Sequence, residues 1–252
     1  MHRSALQPAH FRAISLWSGL FYLVIIVTGI SAEFVIRAPL IDTGDAAATA
    51  RNVLDNVALF RLGFAADSIM AMADIAVAVL LFFLFRAAQP VLATLAMVFR
   101  LIQAAILSMN MLLHHAALSL LLTDDPETAS TALTVLDLQA HGYDLGLIFF
   151  GVNSLLMAAL LVRADFAPRI LAVLVAAAGL VYLGGSYVRF LAPSFHPAIE
   201  PAYLIPLIAE LAFAPWLVAK GLPGRAAAAS ARLQAPRNAA ASSARSGGGG
   251  TE

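Results

Sequence analysis

The sequence of 252 residues contains no cysteine and carries little charge. Without cysteine the chain has no disulfides, thiolate metal sites, iron–sulfur clusters or cysteine nucleophiles. Only 12% of its residues are charged and 61% are hydrophobic, whereas soluble domains carry roughly 25% charged residues. So few charges cannot cover a soluble surface, which indicates an integral membrane protein in a lipid bilayer. The formal net charge of zero gives no sign of a nucleic-acid partner.

Catalytic motifs are also missing. The sequence has no GxSxG motif, no phosphate-binding loop and no HExxH motif. Asp67 and Asp74 do not form a protease-like aspartate pair, because seven residues of helix separate them by about 10.5 Å. An enzyme is therefore not the favoured interpretation.

Six stretches are long and apolar enough to cross a bilayer, for which about 20 residues suffice. They run over residues 13–34, 62–85, 91–113, 143–162, 170–188 and 203–219. The sequence therefore predicts an all-α, polytopic integral membrane bundle of six transmembrane helices. The basic start and small residues of the first stretch resemble a signal peptide, but its length and the five later spans favour an uncleaved anchor. Gly142, Gly146 and Gly151 in the fourth span predict close helix packing.

The distribution of Lys and Arg predicts that both termini are cytoplasmic. With both ends inside, the inner segments carry ten of these residues and the outer segments carry four, as the positive-inside rule requires. We accordingly expect a cytoplasmic N-terminus over residues 1–12. The tail over residues 221–252 is rich in Ala, Ser, Gly and Arg, a composition that predicts cytoplasmic disorder.

Two outer loops are predicted, over residues 37–61 and 123–141. In the first loop, Asp42 or Thr43 is expected to cap a short helix through the Ala-rich run that follows. Before the second loop, the third helix is expected to continue to residue 122. Its 32 residues from 91 onwards would then measure about 48 Å, longer than the ~30 Å hydrocarbon core.

A polar stripe in the third span is the most unusual feature of the sequence. Its members are Arg100, Gln103, Asn110 and His114. Their steps of three, seven and four residues place them on one helix face at about 100° per residue. A polar stripe in an apolar helix faces other protein or a water-filled cavity. Counting along the span divides the stripe into a midplane half and an outer half, which predicts a path from an outer mouth to the midplane.

Two carboxylates, Asp74 and Glu210, lie near the depth of Arg100, and so does Asn153 of the fourth span. An unpaired arginine at the bilayer centre costs at least ~2.5–3.5 kcal/mol. We therefore predict an Asp74–Arg100 ion pair between the antiparallel second and third spans. Glu210 is expected beside it, as a neighbour or as a protonated acid. The pair has two interpretations, a substrate or proton site or a structural pair that fixes helix packing.

A second cluster of titratable residues is predicted at the outer surface. Its members are Glu33, Asp67, His114, His115, His141, Asp144 and His196. The weak candidates for ligands of a His–carboxylate metal site are His114, His141 and Asp144. No spacing matches a metal signature, so interfacial histidines wetted by water are the alternative, and we expect no metal. Histidines gathered at one edge also argue against haem, which needs two ligands facing each other, and we expect no cofactor.

Five stretches together resemble a bacterial membrane family known as domain of unknown function 4386. They are Trp17–Arg37, Gly44–Arg86, Phe99–Leu112, Gly142–Leu183 and Ala209–Gly221. The resemblance covers roughly residues 12 to 221 in order and implies a multi-pass protein of the bacterial inner (plasma) membrane. It implies no activity, substrate or catalytic residue. Family members often carry an acidic residue near Gly184 and Gly185, which this chain lacks.

Three functional hypotheses follow. The first is a membrane protein that binds or translocates a small ligand or a proton through an outward-opening polar site. Its site residues are Asp74, Arg100, Gln103, Asn110, His114, Asn153 and Glu210. The second is a structural or sensory partner whose buried charges serve only assembly. The third is a membrane enzyme that uses the outer cluster of histidines and carboxylates. A continuous cavity from the outer surface to Arg100 would favour the first.

Overall fold

A computed structural model describes residues 7–123, 125 and 128–222, and this part of the chain contains no strand. Its main helices are α1 (Pro8–Ile30), α2 (Ala46–Asp55), α3 (Val57–Phe85), α4 (Pro90–Leu121), α5 (Thr128–Arg163), α6 (Arg169–Leu191) and α7 (Leu204–Gly221). A π-helical segment, Ser31–Arg37, and a last turn, Ala38–Leu40, extend α1. Six helical stretches are long and apolar enough to cross a membrane. The predicted all-α, six-span fold of a multi-pass membrane protein is confirmed.

The helices extend beyond the predicted spans, most of all in α5. This helix begins at Thr128, so the loop predicted over residues 123–141 is wrong for most of its length. Ala132 and Leu136 of the added turns are buried in an apolar cluster with Leu118 and Leu121 of α4. The extension is therefore an amphipathic helix packed on the equally long α4, and its polar outer face gave the appearance of a loop.

The first connection contains the predicted short helix, α2, but its cap differs from the prediction. The carboxylate of Asp45 accepts a hydrogen bond from the Ala48 amide at 2.8 Å, which satisfies one free N–H of the first turn. The Asp42 carboxylate instead accepts from the Gly44 amide. Arg37, predicted to begin this loop, is buried in the π-helical segment.

The two ends of the bundle differ. The described chain ends at residues 7 and 222 and the connections over 86–89 and 164–168 form what we call the terminal face. The connections over 41–56 and 192–203, together with the end of α4 and the start of α5, form the opposite loop face. Six spans bring both chain ends to one face. The predicted N-terminus over 1–12 is helical from Pro8 onwards, and nearly all of the predicted tail lies outside the described residues.

The apolar core is most extensive towards the terminal face. There the Ser15 hydroxyl of α1 donates to the Leu217 carbonyl of α7 at 2.9 Å. A large apolar cluster fills this half, with Tyr22, Phe85 and Leu160 among its buried members. Between this cluster and the smaller one near the loop face, the bundle interior is polar.

Polarity is distributed in the reverse of a soluble protein. Large apolar side chains cover the outside of the bundle, and Met109, for example, is 72% exposed. Polar side chains of α3, α4 and α5 are buried, and Arg100 is only 2% exposed. A bilayer favours this arrangement, because polar groups find partners only inside the protein.

Candidate functional site

An ion pair between α3 and α4 forms the centre of the polar interior. Arg100 donates to Asp74 Oδ1 through Nε and Nη2 at 2.9 and 2.6 Å. The Gln103 amide donates to Asp74 Oδ2 at 3.2 Å. The guanidinium carbon lies 4.8 Å from the centre of the Tyr22 ring and 5.0 Å from that of Phe150. The predicted Asp74–Arg100 pair is confirmed.

The charges of Asp74 and Arg100 neutralise each other inside the protein. Both side chains are buried, and the carboxylate and guanidinium balance each other. Two aromatic rings cover Arg100, and cation–π attraction to the ring faces stabilises its positive charge. Arg100 is therefore part of the floor of the site and is not available as an anion-binding group.

Glu210 of α7 lies beside the pair, as predicted, but its hydrogen-bond partner belongs to neither α3 nor α4. The hydroxyl of Tyr182 on α6 donates to Glu210 Oε1 at 2.7 Å. Glu210, Tyr182 and Arg100 share the wall of a small cavity of about 20 Å³. That volume is enough for about one water molecule.

A larger cavity of about 180 Å³ lies on the loop-face side of the pair. Its polar wall consists of Asp74, Gln103, Tyr143, Tyr182 and Glu210. Its apolar wall includes Ile26, Met70, Leu107, Leu147, Phe150 and Leu207. At its other end lie Glu33 and Phe34, whose exposed fractions are 57% (side chain) and 70%. The cavity therefore connects the polar centre with the surface of the first span.

Gln103, in the wall of this cavity, has a buried acceptor that no group of the described chain uses. The residue is 4% exposed, and its Oε1 atom has no hydrogen-bond partner among the described residues. The amide orientation is fixed by its environment, because Nε2 donates to a carboxylate that can only accept. A buried acceptor without a partner requires an explanation. A molecule in the cavity would satisfy Oε1 only after a shift of the Gln103 side chain, because the atom itself is fully buried.

The π-helical segment lies at the mouth of the cavity. It brings Arg37 over α3, where Nη1 and Nη2 donate to the two oxygens of Asp67 at 2.8 and 3.4 Å. Nε of Arg37 donates to Glu33 at 3.0 Å. π-Helical turns are rare and occur frequently at functional sites. Here the wide turn lets one arginine hold both a buried aspartate and the acidic residue at the mouth.

The family comparison agrees with the resemblance seen in the sequence. A family model described as "Domain of unknown function (DUF4386)" matches residues 17–221. The chain belongs to the DUF4386 family. No curated protein and no solved structure matches it. All residues that line the cavities lie within the DUF4386 match.

The predicted site residues of this DUF4386 protein separate into three groups. Asp74, Gln103 and Glu210 line the large cavity. Arg100 and Asn153 line the small cavity beneath it, where the Asn153 amide also donates to the Ala96 carbonyl of α4 at 2.7 Å. The third group, Asn110 and His114, lines neither cavity.

Asn110 and His114 connect helices. The Asn110 amide donates to the Gln139 carbonyl of α5 at 2.7 Å. His114 Nε2 lies 3.0 Å from the Phe60 carbonyl of α3, and the two rings stack at 3.9 Å. The predicted path along the stripe is therefore wrong in its outer half, because the mouth lies at the π-helical segment and not on α4. Depth counting locates a residue along its helix but does not reveal which neighbour covers it.

The outer cluster does not assemble into a metal site. Among the described residues, no three of His, Asp and Glu are grouped closely enough to hold an ion. Asp144 pairs with Arg189 of α6 at 3.1 Å, and His141 Nδ1 lies 2.8 Å from the Asp137 carbonyl. His115 is exposed, and His196 faces Glu200 of its own helical turn at 3.6 Å. Separate partners thus hold the candidates, and an enzyme based on this cluster has no geometric support.

Proposed function

We propose that this DUF4386 protein binds a small ligand in the 180 Å³ cavity, within the bacterial inner membrane. The observation that carries the proposal is a cavity with a polar end, an apolar wall and an unpaired buried acceptor, Gln103 Oε1. Binding sites generally combine apolar walls with a few convergent polar groups. An apolar cavity of about 150 Å³ is known to accept benzene, so the ligand is about that size or slightly larger.

Binding explains the site with fewer assumptions than translocation. On the terminal side of the small cavity, the apolar cluster that contains Phe85, Leu161 and Leu217 is packed. The cavity is therefore a closed-ended pocket in this conformation. Transport of a ligand or a proton would require a second conformation in which this cluster opens.

Both termini are proposed to be cytoplasmic, as the Lys and Arg distribution indicates. The loop face, and with it Glu33 and Phe34 at the mouth, then lies in the outer half of the bilayer. A ligand would reach the pocket from outside the cell or from the outer leaflet.

Cysteine labelling in intact cells tests the pocket, and the absence of native cysteine removes background reaction. We expect L207C, in the cavity wall, to react with membrane-impermeant methanethiosulfonates added outside. The exposed S194C at the loop face should react fast, whereas L217C should not react, because Leu217 lies in the terminal-face cluster. An unreactive L207C would contradict an outward-opening pocket, and a reactive L217C would favour translocation.

A purely structural role for the polar centre is the second candidate. The observation that favours it is the mutual neutralisation of Asp74 and Arg100, with Gln103 as a third partner. The double variant argued below separates this role from ligand binding.

A further inference from the structure

We infer that the ligand of this pocket is a small organic cation, an ammonium compound with an apolar body. This inference rests on the proposed binding function and specifies its substrate class. It is drawn from the charges, acceptors and rings that face the cavity.

The charged side chains that line the cavity are all acidic. Among the described residues that line it, three are acidic, namely Glu33, Asp74 and Glu210, and none is Lys or Arg. Arg37 pairs with Glu33, and Arg100 pairs with Asp74 from outside the cavity wall. The ion pairs of the described residues do not include Glu210, whose only recorded hydrogen bond comes from the Tyr182 hydroxyl. Glu210 is therefore the counter-ion that a cationic ligand would find.

The unused hydrogen-bonding capacity favours a donor on the ligand. Gln103 Oε1 is an acceptor without a partner, and its own N–H group is engaged by Asp74. An ammonium group has donors and no acceptor, which suits both Glu210 and the unpaired oxygen of Gln103 in the same wall. Because Oε1 is fully buried, the Gln103 side chain must shift for the ligand to bind both residues. A carboxylate or phosphate group would instead place acceptor against acceptor.

The remaining wall matches the rest of such a molecule. Rings of Tyr143, Phe150 and Tyr182 line the cavity, and aromatic faces attract organic ammonium groups. Leu107 and Leu207 supply apolar surface for a hydrocarbon body. A bare metal ion fits less well, because no three His, Asp or Glu residues of the described chain are grouped around one position.

The test measures charge selectivity at L207C, one helical turn from Glu210. Rates of reaction are compared for two ethyl methanethiosulfonates, one bearing trimethylammonium and the other sulfonate. Each rate is divided by the rate at S194C on the loop face. We expect the cation-to-anion ratio at L207C to exceed the reference by on the order of tenfold, since a charged cleft concentrates counter-ions to that degree or more.

The substitution E210Q in the L207C background should return the ratio to the reference value. D55N is the matched control, because Asp55 is exposed at the end of α2 and lines neither cavity; it should leave the selectivity intact. The size-exclusion profile of each variant verifies that it remains folded. A ratio equal to the reference, or a ratio that E210Q does not change, overturns the inference. If neither reagent reacts at L207C, the proposed pocket itself fails, which is a distinguishable result.

Competition provides a second readout with a neutral reagent. Benzylammonium, benzyl alcohol and benzoate differ in charge but little in size. We expect benzylammonium to slow the reaction of L207C with N-ethylmaleimide more than the other two compounds do. Equal protection by all three, stronger protection by benzoate, or no protection by benzylammonium would contradict a cation site.

Discussion

The guanidinium of Arg100 shows how a charged residue is accommodated inside an apolar bundle. It donates twice to Asp74, which also accepts from Gln103, and Tyr22 and Phe150 cover its faces. These contacts comprise an opposite charge, a neutral amide donor on the carboxylate and two rings at close range. Removal of one partner leaves a buried charge, whereas removal of both leaves none.

The pair therefore predicts a strong difference between single and double substitutions. D74L or R100M alone should lower the free energy of unfolding by about 3–5 kcal/mol, the usual cost of an uncompensated buried charge. The double variant D74L/R100M should recover most of this loss, because an apolar pair has no desolvation cost. Thermal unfolding of purified protein in detergent measures the effect.

A matched control is D55N, because Asp55 is exposed at the end of α2 and its loss should change stability little. If the double variant is as unstable as the singles, the pair contributes more than charge balance. If the double variant is stable and benzylammonium still protects L207C from N-ethylmaleimide in that background, the pair is structural. The binding groups are then Glu210 and Gln103.

At the scale of elements, three arginine–aspartate pairs each join neighbouring helices. Arg37 and Asp67 join the first span to α3, Asp74 and Arg100 join α3 to α4, and Asp144 of α5 joins Arg189 of α6. Each pair leaves no net charge, as burial in a bilayer requires. The pairs thus fix which helices are adjacent, while glycines determine how closely they approach.

The close contact between α5 and α6 depends on the absence of a side chain at Gly151. A Cβ atom at Gly151 would lie 2.7 Å from Leu183 Cγ and 3.0 Å from the Gly179 carbonyl, so G151A should destabilise the protein by about 1–3 kcal/mol, the usual cost of overpacking. G184A is the matched control on α6, because nothing lies within 4 Å of its Cβ position. The control should be neutral or should stabilise by about 0.5–1 kcal/mol, since alanine restricts the unfolded chain. Equal unfolding temperatures for the two variants would show that the helices do not pack this closely.

The sequence predicted some elements well and others poorly, for physical reasons. Continuous apolar runs identified the six spans, because a bilayer tolerates little else. The π-helical segment Ser31–Arg37 left no signal, since a widened turn has no periodic pattern over so few residues. The first turns of α5 were hidden because an amphipathic helix outside the apolar run contains polar residues such as Asp137 and His141.

The site was predictable only where charge had to be balanced. Asp74 and Arg100 were paired from their depths alone, because an unpaired arginine there is costly. The partnership of Glu210 with Tyr182 was missed, since depth does not reveal which helices lie side by side. Asn110 and His114 were assigned to an outer mouth, but they contact backbone carbonyl groups of α5 and α3. Such partners are not visible in the sequence, because every residue of a neighbouring helix has a carbonyl group.

At the scale of the whole molecule, the pocket has one open end and the bundle has two distinct faces. The orientation in the membrane therefore decides from which side a ligand arrives. Ten of the 15 Lys and Arg residues lie in the segments assigned to the inside. Those among the ten that the structure describes lie at or near the terminal face, namely Arg12, Arg86, Arg163, Arg169 and Lys220. This distribution predicts that the pocket opens outward.

Reporter fusions measure this orientation directly. Green fluorescent protein fused after Glu252 should fluoresce, because it folds in the cytoplasm, and alkaline phosphatase inserted at Ser194 should be active, because it folds outside. The matched exchange, phosphatase after Glu252 and fluorescent protein at Ser194, should be silent. The reverse pattern would place Glu33 and Phe34 at the cytoplasmic side, and the cationic ligand would then come from inside the cell. The fusion result therefore determines from which side of the membrane the proposed ligand reaches the pocket.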